Sequence, residues 1–357
     1  MTTKYIWLDC DPGHDDATTI MLALNCPEIT LLGVSTVHGN SSARHTHENA
    51  ARCLVAFGAP PDVKVYPGAI KPLIRAARHD PEIHGVDGLG GVENLPPISH
   101  PLVQDALTHL NKDGKAIHGI ACAVRETWKE GSGSRITLIS TGPMTNIALF
   151  VSIYPELLEG IDEFVFMGGG VGLGNRSSSA EFNILCDPEA AQIALDAPVK
   201  KIMIPLNVTH TAIVTRSIQS RLLNPTHPLE HPEDPLPEAS TPLRYTLSTL
   251  ITFFAETYES TFGFTLGPPL HDALTIAYIV HPEMFSCRRF RVDVELSGAH
   301  TAGETVVDMW GYRKCDNTWG STGKNCVVAE SLNVEAFFDF FLECVARCDL
   351  KSPLNNK

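Results

Sequence analysis

The segment WLDCDPGHDDA, Trp7 to Ala17, places Asp9, Asp11, Asp15 and Asp16 directly after the apolar run Tyr5–Leu8. Like charges a few ångströms apart repel unless a cation or strong donors stand among them. Further along, PPLHDA sets His271 and Asp272 at the head of an apolar stretch. AEFNILCDPEAA carries Glu181 and Asn183, two apart and on one side if extended, a pair suited to gripping a diol. EIHGVDGLGG is a glycine-rich loop around His84, suited to a flexible lid.

Three chemistries fit the aspartates. Asp15 and Asp16 can open a helix, where free N–H groups and the dipole favour carboxylates. That leaves Asp9 and Asp11 unexplained. Asp9 and Asp11 can be nucleophile and acid/base of a Mg²⁺-dependent, haloacid-dehalogenase-like phosphohydrolase. Such enzymes carry Thr or Val where Gly13 stands, and they have no second acid pair like Asp15–Asp16. Alternatively, Asp11 and Asp16 donate oxygens to a hard cation such as Ca²⁺, whose shell of six to eight oxygens needs further ligands. An EF-hand is excluded, because counting from Asp9 puts Gly13 fifth and Ile20 twelfth. GGGVGLG (Gly168–Gly174) fits G-x-G-x-x-G in no register, and TWGSTGKN (Thr318–Asn325) lacks the rest of a P-loop, so both read as loops.

What must position these residues is an alternation of strands and helices. Strands are expected at Ile6–Asp9, Ile29–Thr36, around Val63–Tyr66, and at Arg135–Ser140, Phe164–Met167 and Lys200–Leu206. Helices are expected at Asp15–Asn25, Ala43–Phe57, Asn146–Ser152, Pro188–Asp196, Leu243–Thr261 and Asp272–Val280. Continuous apolar strands separated by helices predict an α/β fold with an open, mostly parallel sheet covered on both faces. RRFRVDVELS, ETVVDMWG and NCVVAESLN alternate apolar and polar residues and predict a few extra C-terminal strands before a closing helix, Val334–Arg347. The Pro-rich stretch 224–242 reads as a mobile surface loop within a single domain spanning 1–357. Small, polar or acidic residues follow each early strand: DCDPGHDD, TVHGN, TGPMTN, GGG and LNVTH. Parallel strands end at one edge, where ligands bind, so these segments are expected to converge.

Composition narrows the partners. The 357 residues are 43% hydrophobic and 19% charged, with a net charge of −14, which argues against nucleic acid. No apolar run is long enough to span a membrane, and the N-terminal segment does not read as a signal peptide. The ten cysteines are scattered without a C-x-x-C, so they are expected to be reduced in a cytoplasmic protein without a thiolate zinc site.

DCDPGHDDA resembles the signature of the nucleoside hydrolases, the inosine–uridine-preferring ribohydrolases. The similarity continues in order through STVHGN, IHGVDGLGG, STGPMTN, FMGGG, AEFNILCDPEAA, PLNVTH and PPLHD, about residues 4 to 345, and is nearest to fungal uridine nucleosidases. The resemblance implies a Rossmann-like α/β fold, assembled as a homodimer or homotetramer. It implies Ca²⁺ held by Asp11, Asp16, the Thr141 carbonyl and Asp272, and a Ca²⁺-bound water activated by Asp11 for attack on C1′. Asp15, Asn40, Asn175, Glu181 and Asn183 would hold the ribose beside Met167. His84, His271 and Tyr258 would lie near the base, with His271 protonating the leaving group through a suitably placed pKa. The substrate would be a ribonucleoside: uridine, or inosine, cytidine or nicotinamide riboside. The alternatives are the phosphohydrolase above and a non-catalytic ribosyl-binding protein. Ala273 stands where many members have Pro, and no direct role falls to Asp9.

Overall fold

In a computed structural model, described for residues 3–107, 114–231 and 233–356, eight strands form one sheet. The expected single domain (1–357) and Pro-rich loop (224–242) both include residues outside that description, among them Pro232. Strands β1 (Lys4–Cys10), β2 (Ile29–Thr36), β3 (Val65–Pro67), β4 (Ile136–Ser140), β5 (Ile161–Met167) and β6 (Lys200–Ile204) are followed by β7 (Phe285–Phe290), β8 (Val292–Val294), β9 (Thr305–Val307) and β10 (Cys326–Leu332). The sheet order is β3-β2-β1-β4-β5-β6-β10-β7, parallel throughout except where β7 runs against β10.

Period-two side-chain alternation divides the core. Ile6 and Leu8 face a cluster built with helices His14–Asn25, Pro242–Phe262, Ala273–Val280 and Val334–Asp349. Trp7 faces the opposite cluster, with helices Ala116–Trp128, Thr145–Ile153 and Pro188–Asp196. Burial on both faces is why β4 (ITLIS) contains no outward-facing residue.

The expected extra strands at the C-terminus divide into two groups. β7 and β10 extend the main sheet, whereas β8 and β9 form a separate antiparallel ribbon. The Lys200–Leu206 strand ends at Ile204, because Pro205 cannot donate and leads into the short helix Leu206–Thr209. Within the Pro-rich stretch the described residues carry no helix or strand before Pro242. The chain there is tied down by Ser240, whose N–H bonds the Leu223 carbonyl at 3.0 Å.

Candidate active site

The carboxyl ends of β1, β2, β4, β5 and β6 meet at one edge, and the aspartates lie there. Asp16 sits in the first turn of helix His14–Asn25, and its Oδ2 accepts the Gly13 N–H at 3.0 Å. The capping explanation therefore holds for half of a capping box. The same carboxylate also accepts the Thr141 hydroxyl at 2.7 Å and the Asn40 amide at 3.1 Å. One side chain thus pins the ends of β4 and β2 to the end of β1. Asp11 accepts the Asn40 N–H at 2.8 Å on Oδ2 and leaves Oδ1 buried without a partner. Gly39, at φ +157°, permits this approach, since a Cβ there would lie 1.9 Å from Asp11 Oδ2.

Asp272 precedes helix Ala273–Val280 but makes no side-chain capping bond. Its carboxylate instead joins those of Asp15 and Asp16, with one oxygen from each within 4.8 Å of the others, all three buried. Asp15 Oδ1 is a second buried oxygen without a partner. Burial, then the neighbouring carboxylates, hold Asp11 and Asp272 well above the ordinary range; Asp15 is pushed up to about 8 and Asp16 is also raised, both chiefly by burial. Among the described residues, no Lys or Arg is among the groups that chiefly perturb any of the four. Orphaned carboxylate oxygens converging in a buried site are a donor set that fits a hard divalent cation. Asp11 lies outside the tight trio but also carries an unpartnered oxygen, as does Asp9 at Oδ2.

Above this cluster opens a polar pocket. Asp15, Asn40, His84, Thr141, Met167, Asn175, Glu181, Asn183, Tyr258, His271 and Asp272 all line it. Asp11 and Asp16 lie beneath rather than on its wall. Sequence reasoning missed Asp80, Ile83, Phe182 and Phe262, which also line it. Ile83 stands beside His84 in the flagged loop and Asp80 just before it, Phe182 lies between the flagged Glu181 and Asn183, and nothing local marks Phe262.

Two expectations about these side chains are corrected. Glu181 and Asn183 do not share a face of an extended segment. Glu181 is the N-cap of the short helix Phe182–Cys186, and its carboxylate accepts the N–H groups of Asn183, Ile184 and Gly169 at 2.9–3.2 Å. Burial still raises it to about 7. Asn183 turns its amide to the Thr141 carbonyl at 2.8 Å, and Asn175 accepts the Phe182 N–H at 2.9 Å. His271 does not carry an ordinary histidine pKa: burial, then His210, push it well below that range. Its Nε2 lies 2.6 Å from the Tyr258 hydroxyl and its Nδ1 2.7 Å from the Thr209 hydroxyl.

Asp9 is structural. It is wholly buried, and its Oδ1 accepts the Ser35 hydroxyl and, at 2.8 Å, the Asn146 amide. It does not line the pocket, so the phosphohydrolase reading, with Asp9 as nucleophile, fails on geometry.

A parallel sheet with a buried acidic cluster at its carboxyl edge, under a polar pocket, accords with the nucleoside hydrolases that the sequence resembles. The chain matches the inosine–uridine preferring nucleoside hydrolase family over residues 6–339 and belongs to it. It is 38% identical to the pyrimidine-specific ribonucleoside hydrolase RihA of Shewanella woodyi, covering 87% of this chain and 89% of that one. It is 34% identical to a probable ribonucleoside hydrolase of Dictyostelium discoideum, covering 96% and 94%. Among solved structures, the purine-preferring ribonucleoside hydrolase from Gardnerella vaginalis superposes with a TM-score of 0.80 at 28% identity, covering 97% of this chain and all of that one. The chain is thus an N-glycosidase that hydrolyses ribonucleosides.

Proposed function

We propose that the chain is a Ca²⁺-dependent hydrolase of the N-ribosidic bond of uridine, with inosine, cytidine and nicotinamide riboside as further substrates. The observation that carries this reading is the buried meeting of Asp15, Asp16 and Asp272 beneath a polar pocket.

Asp11, Asp16, Asp272 and the Thr141 carbonyl would hold the ion, with Asp15 shared between it and the ribose. Bound there, a divalent cation would supply Lewis-acid chemistry, lowering the pKa of a water at the site. Asp11, whose Oδ1 is unpartnered, takes the proton from the water that attacks C1′. The buried carboxylates favour the oxocarbenium-like state as the C1′–N bond breaks. Asn40, Asn175, Glu181 and Asn183 orient the sugar beside Met167. His84 contacts the base.

Proton delivery to the departing base falls to His271 acting with Tyr258. When His271 holds its hydrogen on Nε2, that hydrogen bonds the phenol oxygen, and the Tyr258 hydroxyl is free to donate to the base. The uncharged imidazole then stabilises the phenolate left behind.

Ten free cysteines support the cytoplasmic reading. Among the described residues no helix is long and apolar enough to cross a membrane. Exposed Trp310 and Tyr312 support assembly as a homodimer or homotetramer. The test of function is ribose release from uridine, cytidine, inosine, adenosine and nicotinamide riboside with Ca²⁺ present. Release from uridine supports the reading; binding without release from any of them would leave a ribosyl-binding protein.

A further inference from the structure

Thr209 closes the short helix Leu206–Thr209, which follows β6 at the carboxyl edge of the sheet. It is wholly buried and does not line the pocket. Its hydroxyl lies 2.7 Å from His271 Nδ1, while His271 Nε2 lies 2.6 Å from the hydroxyl of Tyr258, which does line the pocket. Among the described residues, neither hydroxyl nor the ring makes another side-chain hydrogen bond. The Pro205 carbonyl, one turn back from Thr209, is taken by the N–H groups of Val208 and Thr209 at 2.9 and 3.1 Å.

The backbone holds these groups in place. The segment after the short helix is laced to the one before His271: Leu270 N–H bonds the Ala212 carbonyl at 3.0 Å and Val214 N–H the Pro268 carbonyl at 2.9 Å. Phe254 and Phe264 pack edge-on against the Tyr258 ring, at centroid distances of 4.7 and 5.5 Å.

Hydrogen counting then gives the chain a direction. Two hydroxyls and a neutral imidazole carry three hydrogens, and two hydrogen bonds use two of them. If Tyr258 donates to Nε2, Nδ1–H must donate to Thr209, and the Thr209 hydrogen is stranded in a sealed site. A charged ring, donating from both nitrogens, strands it equally. An unmade donor at such depth is penalised. If Thr209 donates to Nδ1 instead, Nε2–H donates to the phenol oxygen, and the surplus hydrogen is that of Tyr258, facing the pocket.

We propose that Thr209 is a positioning residue for the leaving-group proton: its hydroxyl fixes His271 as an Nε2–H donor and so leaves Tyr258 free to donate to the base. The proposal rests on the reading above that Tyr258 and His271 serve the departing base. In that step the Tyr258 O–H bond breaks as the base takes the proton and keeps the electron pair of the C1′–N bond. The phenolate stays on the Nε2–H donor until solvent reprotonates it.

The test uses the full chain with Ca²⁺. Thr209→Val keeps the shape and removes the hydroxyl; Thr209→Ser keeps the hydroxyl. Long-range ¹H–¹⁵N NMR should show His271 protonated on Nε2 in the unaltered chain and in Thr209→Ser, and a mixture of tautomers in Thr209→Val. Thr209→Val should lower kcat for uridine by about ten- to a hundredfold with KM little changed. A nitrophenyl riboside should be almost spared, and Thr209→Ser should recover most of the loss.

An Nδ1-protonated His271 in the unaltered chain overturns the proposal, as does a Thr209→Val loss that is equal on both substrates or absent from both. If Thr209→Val does not fold, the hydrogen position decides alone: Nε2 in the unaltered chain and in Thr209→Ser supports the proposal, and Nδ1 in either overturns it. Should the unaltered chain cleave no nucleoside, the functional reading fails, while the NMR measurement still decides the direction of the Thr209–His271–Tyr258 chain.

Discussion

The hydroxyl of Thr141 donates to Asp16 Oδ1 at 2.7 Å across 125 residues of sequence. Asp16 also accepts the Gly13 N–H and the Asn40 amide, so three strand ends are held in register by one carboxylate. Asp11, Asp15 and Asp272 gather around it with no cationic side chain from the described residues among their main perturbers. A folded chain holds such a cluster only by protonating it or by binding a cation.

That choice makes stability depend on pH. The folded, cation-free chain holds these carboxyls at raised pKa values, Asp15 at about 8, against 3.8 for an unperturbed Asp. Their contribution is fully present below the unfolded value and is lost as pH rises through the folded values. Ca²⁺ replaces those protons, so the Tm gain it confers should grow between about pH 5 and pH 8. A gain independent of pH, read by calorimetric melting, would contradict the cluster as the binding site.

Leaving-group chemistry separates Tyr258 and His271 from the water-activating side. Tyr258→Phe and His271→Ala should each slow uridine hydrolysis by about 10²–10⁴-fold, the usual range for a lost proton donor. A nitrophenyl riboside, whose leaving group needs no proton, should be almost spared. Equal losses on both substrates would remove the pair from proton delivery.

Asp9 should behave as a structural residue. Asp9→Ala strands the Ser35 hydroxyl proton in the core and leaves the Asn146 amide only its bond to the Thr36 carbonyl, which costs about 1–3 kcal/mol of stability in denaturant melts. KM for uridine should change little. A large rise in KM with unchanged stability would place Asp9 in the pocket after all.

Arg176 ties the loop after β5 to the lid segment. Its Nε bonds Asp80 at 2.8 Å, and its guanidinium lies over Phe262 at 5.2 Å. Both Asp80 and Phe262 line the pocket. Arg176→Ala leaves the Asp80 carboxylate unpaired there and should raise KM by about tenfold, ~1.4 kcal/mol. An unchanged KM would show that the pair has no part in closing the site.

Much of this was legible in the sequence because strand ends in a parallel sheet carry their function locally. Asp15, Asp16 and Thr141 each follow a recognisable apolar strand, so convergence needed only the parallel rule. Contacts from beyond the sheet edge were not legible. Phe262 reaches the pocket from the end of a long helix, and its sequence neighbourhood is that of any core-facing residue. Glu181 misled because spacing of two suggests a strand, whereas three backbone N–H groups draw its carboxylate into a helix cap. The depressed pKa of His271 follows from burial, which position in the chain does not reveal.

The most direct measurement is calorimetric titration of the chelator-treated chain with Ca²⁺, in parallel with ribose release from uridine. One ion should bind per chain with release of protons, activity should return with occupancy, and Asp272→Asn should weaken binding by at least about a hundredfold. No binding heat, together with uridine hydrolysis that persists in excess chelator, would contradict the account.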